Sequence, residues 1–549
     1  MYKYCIIKNV GFVVIVFLML GGMTAYGSFS EKEIGKRTNV LLITVDDLRP
    51  ELGCYGNLMI KSPNIDRLAK RGMVFEKTFC QDAVCSPSRT SMLTGLRPDT
   101  TQIYDNDTHF RTYNPNVITL PQQFRRNGYH SLAMGKVYHS QWDQAYVGRR
   151  LDDPPSWSEP AWFPSVVQFY FTPEGKNIAR EIYARTTQCK LHQGGMCVHS
   201  CRNSKKQLTE INLADPKYDE WKQHFVMGLV TEAPDVPDDL LYDGQVASRA
   251  ISTLRRLQNQ PFFMAVGFIR PHIPSVAPKR YWDLYEASQF KLADSPLPPR
   301  GAPAWTLPNE HDHSHYCDIP LDGAPLDDNL ARRLIHGYYA TVSFMDAQVG
   351  RVLAELDLLG LSDNTIVVLW GDHGYHLGEN SRWGKQTCYE MATRQPLIIA
   401  VPGMKNQGST SPALVEAVDI YPTLCELADL PLPTGIEGVS MTPLLDDPGR
   451  PWKTAVFSQY PRPVRRSEPG VLAGLDDKMG YAIRTERYRY VEWHYITRPG
   501  EIAGCELYDH QVDPTESVNL ADQSDQAELV QRLHEQLQAG WRKALPSQK

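Results

Sequence analysis

The sequence has no excess of positive charge, no long apolar run beyond its first 27 residues, and no internal repeat or low-complexity segment. Its 57 Lys and Arg residues against 63 Asp and Glu residues give a formal net charge of −6 over 549 residues. This weakly acidic balance argues against a protein that wraps around nucleic acid. Because the overall charge weakly repels anions, an anionic substrate would need a local cluster of cations. The hydrophobic content of 42% is typical of a globular protein with a large core.

Residues 1–27 have the pattern of a secretory signal peptide. Lys3 and Lys8 form a basic start, residues 10–20 are apolar apart from Gly11, and Ala25 and Gly27 are the small residues that signal peptidases accept. The apolar run is short for a membrane span, so we expect cleavage, with an uncleaved anchor as the alternative. No later segment approaches about 18 uninterrupted apolar residues. These features predict a soluble, exported protein of the lysosomal lumen, the periplasm or the extracellular space, without a membrane span after cleavage.

Eleven cysteines in an exported chain indicate disulfides, although the odd count and irregular spacing fit no common framework. Cys189, Cys197 and Cys201 cluster with His192 and His199 in a polar segment. A disulfide within this cluster is the favoured interpretation. A zinc site is the alternative, but the spacing fits no common zinc template.

Short apolar runs alternate with helical patterns along the first 450 residues. The runs predict buried strands at 39–45, 131–134, 262–268, 365–369 and 397–401. Their apolar residues are continuous rather than alternating, as a parallel sheet covered on both faces requires. The clearest amphipathic helix is predicted over 329–359, with apolar residues at three- and four-residue spacing. The pattern predicts an α/β fold with a large, mostly parallel central sheet flanked by helices.

The sequence pattern changes after residue 450. Strands are predicted at 455–459, 480–484 and 488–493 with hairpin-like spacing, and a final helix carries Leu529, Leu533 and Leu537. We therefore expect a catalytic domain over 28–450 and a smaller C-terminal subdomain, containing an antiparallel sheet, over 451–549. Two segments rich in Pro, Trp and His, 143–242 and 291–328, are expected to be insertions that shape a substrate pocket.

Carboxylates follow two of the predicted strands at the point where each strand ends. Asp46 and Asp47 follow the first strand, and Asp372, next to His373, follows the strand at 365–369. Ligands bind beyond the carboxyl ends of parallel strands, so these side chains are expected at one edge of the sheet. Oxygen-rich coordination favours Ca²⁺ or Mg²⁺ over zinc. An aspartate after a strand is also a common turn residue, and the residues alone leave both interpretations open.

Residues 85–95, CSPSRTSMLTG, form the most specific motif of the chain. Pro87 suits a first helical turn and Gly95 suits a helix end. Cys85 is therefore expected near a helix N-terminus, where backbone N–H groups attract anions. Arg89, one turn further on, is expected to face the same anion. Taken alone, these residues suggest a nucleophilic cysteine with a lowered pKa.

This motif resembles the signature of the sulfatase family, Cys-x-Pro-x-Arg followed by Leu-Thr-Gly. The similarity covers nearly the whole chain after residue 27 and is closest to the iduronate-2-sulfatase subfamily. Stretches outside the signature that carry it are 45–50, 62–66, 97–101, 135–139, 271–274, 371–374, 383–385, 458–463 and 479–485. The resemblance implies the alkaline-phosphatase-like sulfatase fold. It also implies hydrolysis of sulfate esters on a sulfated glycan, above all the 2-O-sulfate of iduronate in heparan- or dermatan-type saccharides.

The resemblance further implies a modified nucleophile and one calcium ion. In sulfatases the signature cysteine is oxidised to formylglycine, whose hydrate acts as the nucleophile, so a formylglycine-generating enzyme is an expected partner during maturation. Carried over by position, Ca²⁺ would be held by Asp46, Asp47, Asp372, His373 and the modified Cys85. Many sulfatases have Asn at the position of His373, which makes this histidine a marker of the subfamily. The alternative is that His373 only orients Asp372.

By the same resemblance, the catalytic residues would be Cys85, Arg89, Lys136, His139, His272 and Lys385. Lys136 and Lys385 would bind the sulfate, and Lys136 and His139 are expected to share one face of a helical turn. His139 would support or deprotonate the nucleophile. His272, held in an X-Pro frame, would bind sulfate or protonate the leaving oxygen.

Other polar residues have weaker assignments. The alternating His311, His313 and His315 receive no role, because loop histidines without a carboxylate framework are usually solvated. Tyr375 and His376 are expected to line the pocket, and the candidates for binding a uronate carboxylate are Arg270 and Lys279.

Three alternatives remain for the chain as a whole. It could be a sulfatase for another sulfated polysaccharide, or a phosphonate or phosphodiester hydrolase on the same scaffold. It could also be an inactive binding protein in which Cys85 stays a thiol.

Overall fold

The computed structural model describes residues 37–139, 152–164, 170–178, 228–307, 311–314, 316, 318–320, 326–462, 466–468, 471–472 and 477–547. The predicted signal peptide at 1–27 and the cysteine cluster at 189–201 lie outside these residues. No helix in the described ranges has the length and apolar character needed to cross a membrane.

The strands are β1 Asn39–Val45, β2 Met73–Phe79, β3 His130–Gly135, β4 Thr231–Glu232, β5 Phe262–Phe268, β6 Ser275–Val276, β7 Thr365–Gly371, β8 His376–Leu377, β9 Trp383–Gly384, β10 Arg394–Ala400, β11 Ser409–Glu416, β12 Ala455–Arg462, β13 Arg466–Glu468, β14 Val471–Leu472, β15 Lys478–Thr485, β16 Tyr488–Tyr495 and β17 Ile502–Asp509. The helices are α1 Pro63–Arg71, α2 Cys85–Thr94, α3 Pro98–Thr101, α4 Leu120–Arg126, α5 Tyr242–Leu257, α6 Lys279–Trp282, α7 Asp328–Leu358, α8 Glu390–Thr393, α9 Ile420–Leu427, α10 Thr442–Asp446, α11 Ala527–Ala539 and α12 Trp541–Ala544.

The central sheet has seven strands in the order β11-β2-β10-β7-β1-β5-β3. The four strands β7, β1, β5 and β3 run parallel to one another, whereas β10 is antiparallel to both of its neighbours. The α/β fold with a mostly parallel central sheet is thus confirmed. The predicted strands coincide with or overlap β1, β3, β5, β7 and β10, and the long predicted helix corresponds to α7.

Helices cover both faces of this sheet because its strands are apolar on both sides. Along β1, Leu41, Ile43 and Val45 pack into a core shared with α1, α5 and α7. Val40 and Leu42 point the other way and pack into a second core with α2, α4 and α9. Burying both faces leaves the ends of the strands as the place where polar side chains can gather.

The second sheet has the strand order β12-β15-β16-β17, with every neighbouring pair antiparallel. Leu533 of α11 packs against one face, in a core with Ile483 and Tyr490. The opposite face buries Val84 and Cys388, which lie outside this sheet. The predicted C-terminal antiparallel sheet is therefore confirmed, while the domain boundary at residues 450 and 451 stays a prediction.

Candidate active site

Acidic side chains converge where β1 and β7 end. These strands are parallel neighbours, with Val45 paired to Gly371, and the Asp372 N–H donates to the Val45 carbonyl at 3.1 Å. The Asp47 N–H donates to Asp372 Oδ1 at 3.1 Å. Residues more than 300 positions apart in the sequence thus meet at one sheet edge. The structure therefore brings these aspartates together at the edge of the sheet where the sequence predicted them.

The arrangement is suited to a divalent cation. Ligand atoms of Asp46, Asp47, Cys85 and His373, all buried, lie within 4.8 Å of one another. Asp372 Oδ1 lies 3.7 Å from His373 Nε2. Asp46 Oδ1 and Asp47 Oδ2 are buried and accept no hydrogen bond. Buried carboxylate oxygens without donors need another positive partner, and a hard cation is the partner that prefers them.

Two buried ammonium groups flank these carboxylates. Lys136 Nζ lies 2.5 Å from Asp46 Oδ2, and Lys385 Nζ lies 2.6 Å from Asp47 Oδ1. Burial alone would raise the pKa of Asp46, but Lys136 and the other nearby cations hold that pKa well below its usual value. The pKa of Asp372 is raised, chiefly by burial. The site therefore combines anionic ligands with cations that could bind an anionic substrate.

Cys85 is the first residue of α2 and is almost fully buried. Its Sγ lies 3.4 Å from His373 Nε2. The pKa of the thiol is raised, first by burial and then by Asp46, although Lys136 and Lys385 oppose the shift. The lowered thiol pKa predicted from the local sequence is therefore wrong. An unmodified Cys85 would be a poor nucleophile here.

Arg89 is fully buried and is turned towards the carboxylates. Its Nε donates to Asp372 Oδ2 at 2.9 Å, and its Nη2 lies 3.5 Å from Asp46 Oδ1. Its Nη1 donates to the carbonyls of Lys136 and Val137. These contacts fix the acidic cluster and the backbone that carries Lys136. The predicted contact between Arg89 and the substrate anion stays a prediction.

Lys136 and His139 follow β3 but lie in a bend rather than a helix. The helical turn expected for this pair is therefore wrong. Gly135, with φ of +72°, turns the chain out of the strand, and both side chains are still buried beside Asp46. Burial, and next Lys136, lower the pKa of His139 well below its usual value. His139 is consequently neutral near pH 7 and able to accept a proton.

His272 lies beside Asp47 of the acidic cluster, between Pro271 and Pro274 in the sequence. Its Nδ1 lies 2.6 Å from the Ile273 carbonyl, so Nδ1 carries the proton and Nε2 is directed elsewhere. Nε2 lies 3.9 Å from Asp47 Oδ2. Burial lowers the pKa of His272 to about 4, although Asp47 opposes this shift. A substrate sulfate at this position would favour the protonated form.

Asp312 was not identified from the sequence. It lies in the 291–328 segment, where its Oδ2 is 3.5 Å from Lys385 Nζ and its Oδ1 is 3.5 Å from Arg382 Nη2. The neighbouring His311 accepts the Trp383 N–H at 3.3 Å, so this loop holds the strand before Lys385. A lone aspartate in a polar insertion has no spacing signal that could have revealed this contact.

Asn106, the first residue of a glycosylation sequon, Asn106-Asp107-Thr108, contacts the start of α2. Its Oδ1 accepts the Ser86 N–H at 2.9 Å, at the start of α2. The residue preceding this helix, Val84, provides no side-chain cap. Asn106 therefore satisfies a first-turn donor next to Cys85 from a distant loop.

Of the remaining pocket candidates, Tyr375 and Arg270 lie beside residues of the site, whereas His376 and Lys279 contact other groups. Tyr375 is buried, with Lys385 Nζ 6.0 Å from its ring centre, and Arg270 is buried beside His272. His376 is also buried, but its ring binds Thr387 Oγ1 and the Glu379 carbonyl within the loop. The exposed Lys279 forms an ion pair with Asp283.

Comparisons with known proteins agree with this geometry. The sulfatase family model matches residues 38–430, and a model described as the C-terminal part of N-sulphoglucosamine sulphohydrolase matches residues 378–543. Iduronate 2-sulfatases of Mus musculus and Homo sapiens are each 34% identical over 557 residues, covering 90% of this chain and 93% of theirs.

Solved structures show the same fold. The phosphonate monoester hydrolase of Agrobacterium radiobacter superposes with a TM-score of 0.68 at 23% identity, over 93% of this chain and 96% of that one. An enzyme bound to its substrate D-glucosamine-2-N,6-O-disulfate gives 0.65 at 22% identity, over 92% and 99%. The family match over most of the chain and the full-length relatives lead to one conclusion: this chain belongs to the sulfatase family and is a sulfuric ester hydrolase.

Proposed function

We propose that this sulfatase removes the 2-O-sulfate of iduronate residues in heparan- or dermatan-type saccharides. The observation that carries the proposal is full-length similarity to iduronate 2-sulfatases at 34% identity. His373, within the acidic cluster, is the subfamily marker and supports the same choice.

Two groups formed or bound after synthesis would complete the site. Ca²⁺, held by Asp46, Asp47, Asp372, His373 and the modified Cys85, would polarise the sulfate and neutralise charge that develops on it. Formylglycine at Cys85, made by a formylglycine-generating enzyme, would supply an aldehyde hydrate as the nucleophile. The segment at residues 1–27, which resembles a secretory signal peptide, supports export of the chain.

The side chains of the chain itself would bind the substrate and move protons. Lys136 and Lys385 would each bind a sulfate oxygen, since their ammonium groups already flank the cluster. Arg89 would hold Asp372 and Asp46 in place. Protonated His272 would donate a proton from Nε2 to the departing sugar oxygen, because an alkoxide is a poor leaving group. Neutral His139 would accept a proton from the nucleophile.

The test is turnover of a disaccharide with a 2-O-sulfated iduronate at its non-reducing end, with a 6-O-sulfated glucosamine disaccharide as the control. The proposal expects sulfate release from the first at a rate at least about tenfold higher. Preferential release from the control, or hydrolysis of phosphonate esters alone, would overturn the substrate assignment.

A further inference from the structure

We propose that the C-terminal sheet is a positioning element for Lys385, acting through the five residues that follow it. This inference rests on the proposed role of Lys385 as a sulfate-binding residue. It goes beyond that role by assigning a catalytic purpose to a sheet that carries none of the proposed catalytic side chains.

Segment 386–390 joins β9 to α8 and is contacted by every strand of the C-terminal sheet. From β12, Arg462 donates to the Gln386 carbonyl, and from β15 the Gly480 carbonyl lies 3.8 Å from Cys388 Sγ. From β17, Glu506 Oε2 accepts the Tyr389 hydroxyl at 2.7 Å. A short segment held from four strands has little freedom to shift.

Arg489, on the central strand β16, makes the most extensive contact. It is fully buried, and its Nη1 donates to the Cys388 carbonyl at 2.9 Å. Its Nη2 and Nε bind Glu390 and Glu516 at 2.6 and 2.5 Å. The rigid guanidinium fork thus fixes the backbone and a side chain of the segment together. A lysine could not make these contacts at once.

The backbone around Lys385 explains why such anchoring is needed. Gln386 has φ of +70° and Gly384 has φ of +129°, so Lys385 lies between two residues in the left-handed half of the map. A non-glycine residue in that conformation is strained and persists only when its surroundings hold it. The Gln386 N–H also donates to the Ala83 carbonyl at 3.2 Å, two residues before Cys85. The same segment therefore links the position of Lys385 to that of the nucleophile.

A matched pair of tyrosines separates positioning from general stability. Tyr389 lies in the segment and Tyr508 lies in β17, and both are buried. Each donates its hydroxyl to the same oxygen, Glu506 Oε2, at 2.7 Å. Tyr389→Phe and Tyr508→Phe therefore each remove a hydrogen bond to this acceptor, and Tyr389→Phe also removes a contact with Thr306 Oγ1 at 3.1 Å. Only Tyr389→Phe loosens the segment after Lys385.

The experiment measures kcat/KM and the thermal midpoint for both variants, on the 2-O-sulfated disaccharide or, if that is not turned over, on an aryl sulfate. We expect Tyr389→Phe to lower kcat/KM about tenfold, because small misplacements of a binding group are costly. Tyr508→Phe should stay within about twofold of the wild type while losing similar stability. Equal activity losses in the two variants would overturn the inference.

A double-mutant cycle with Lys385 adds an independent readout. If the segment acts through Lys385, Tyr389→Phe should have no further effect in a Lys385→Ala background. Multiplied losses would indicate general damage and reject the inference. Unchanged activity of Lys385→Ala itself would instead reject the sulfate-binding role. If Lys385→Ala lost most activity while both tyrosine variants stayed fully active, the positioning role of the sheet would be rejected and the sulfate-binding role of Lys385 would stand.

Discussion

At the scale of a single residue, the proposed activity depends on the chemical state of Cys85. Burial and the neighbouring Asp46 raise the pKa of its thiol, so an unmodified side chain would remain protonated at neutral pH. We therefore expect peptides from active enzyme to carry an aldehyde in place of the Cys85 thiol, detected by mass spectrometry. Cys85→Ala should lower kcat about 10³-fold or more with little change in the thermal midpoint. A fully active preparation containing only the thiol would contradict this.

Asn106 offers a second test at the residue scale. Its carboxamide oxygen caps the first turn of α2, where Ser86 would otherwise lack an acceptor. Asn106→Ala should therefore reduce the free energy of unfolding by about 1 kcal/mol, whereas Asn106→Asp retains the acceptor and should stay near the wild type. Urea unfolding of the two variants measures the difference. Equal stabilities would show that the cap contributes nothing.

Individual site residues differ in how far the sequence alone could predict their position. Asp46 and Asp372 could be placed at one edge because each directly follows an apolar strand. Asp312 and Asn106 could not, because their partners Arg382 and Ser86 lie 70 and 20 positions away in the sequence and no local pattern records the contact. The burial that raises the pKa of Cys85 is likewise a property of the assembled fold.

In the central sheet, strands with a continuous apolar run were predictable from the sequence and interrupted ones were not. β1, β5 and β7 are buried along their whole length, and their apolar runs predict them as strands. β2 contains Glu76 and Lys77, and β11 contains Pro412 at the sheet edge, so neither has a clear apolar run. Their strand conformation depends on pairing with neighbours rather than on their own pattern.

The contact between β16 and α8 should be sensitive to acid. Burial would raise the pKa of Glu390, but Arg484 and Arg489 overcome it and hold that pKa below its usual value of 4.5. Its stabilising contribution is therefore present above about pH 4.5 and lost as the pH falls further. Glu390→Gln should be less stable than the wild type at pH 7, and the difference should shrink below about pH 4.5.

Thermal midpoints of the wild type and Glu390→Gln from pH 7 to pH 3.5 test this expectation. Glu528→Gln, in α11 on the surface of the C-terminal part, is the control, because its side chain has no ion pair in the described structure. A constant difference between the wild type and Glu390→Gln across the whole range would contradict the assigned pKa.

At the scale of the whole molecule, we expect the acidic cluster to make stability depend on a bound cation. Without one, Asp46 and Asp47 each keep a buried oxygen that accepts no hydrogen bond. Removing divalent ions with a chelator should abolish activity and lower the thermal midpoint, and Ca²⁺ should restore both. At a concentration of about 100 times the dissociation constant, the ion would stabilise the fold by about 2.7 kcal/mol.

The control for metal removal is Asp47→Asn, which should lose most of the response to both chelator and Ca²⁺. A wild-type midpoint that moves with neither addition would rule out a structural cation at this cluster. If Mg²⁺ but not Ca²⁺ restored activity and the thermal midpoint, the cluster would still bind a cation, but that cation would be Mg²⁺.

The anchoring of segment 386–390 by the last sheet has a consequence for biosynthesis. When a ribosome has translated the chain up to residue 450, every side chain proposed to take part in the chemistry has been made. The strands of the C-terminal sheet, β12 and β15–β17, have not yet been made. If the sheet positions Lys385 as we propose, a nascent polypeptide that ends before residue 455 would hold this lysine loosely and would be less active than the full chain. Full activity would then be reached only after these last strands have been translated and have folded onto the rest of the protein.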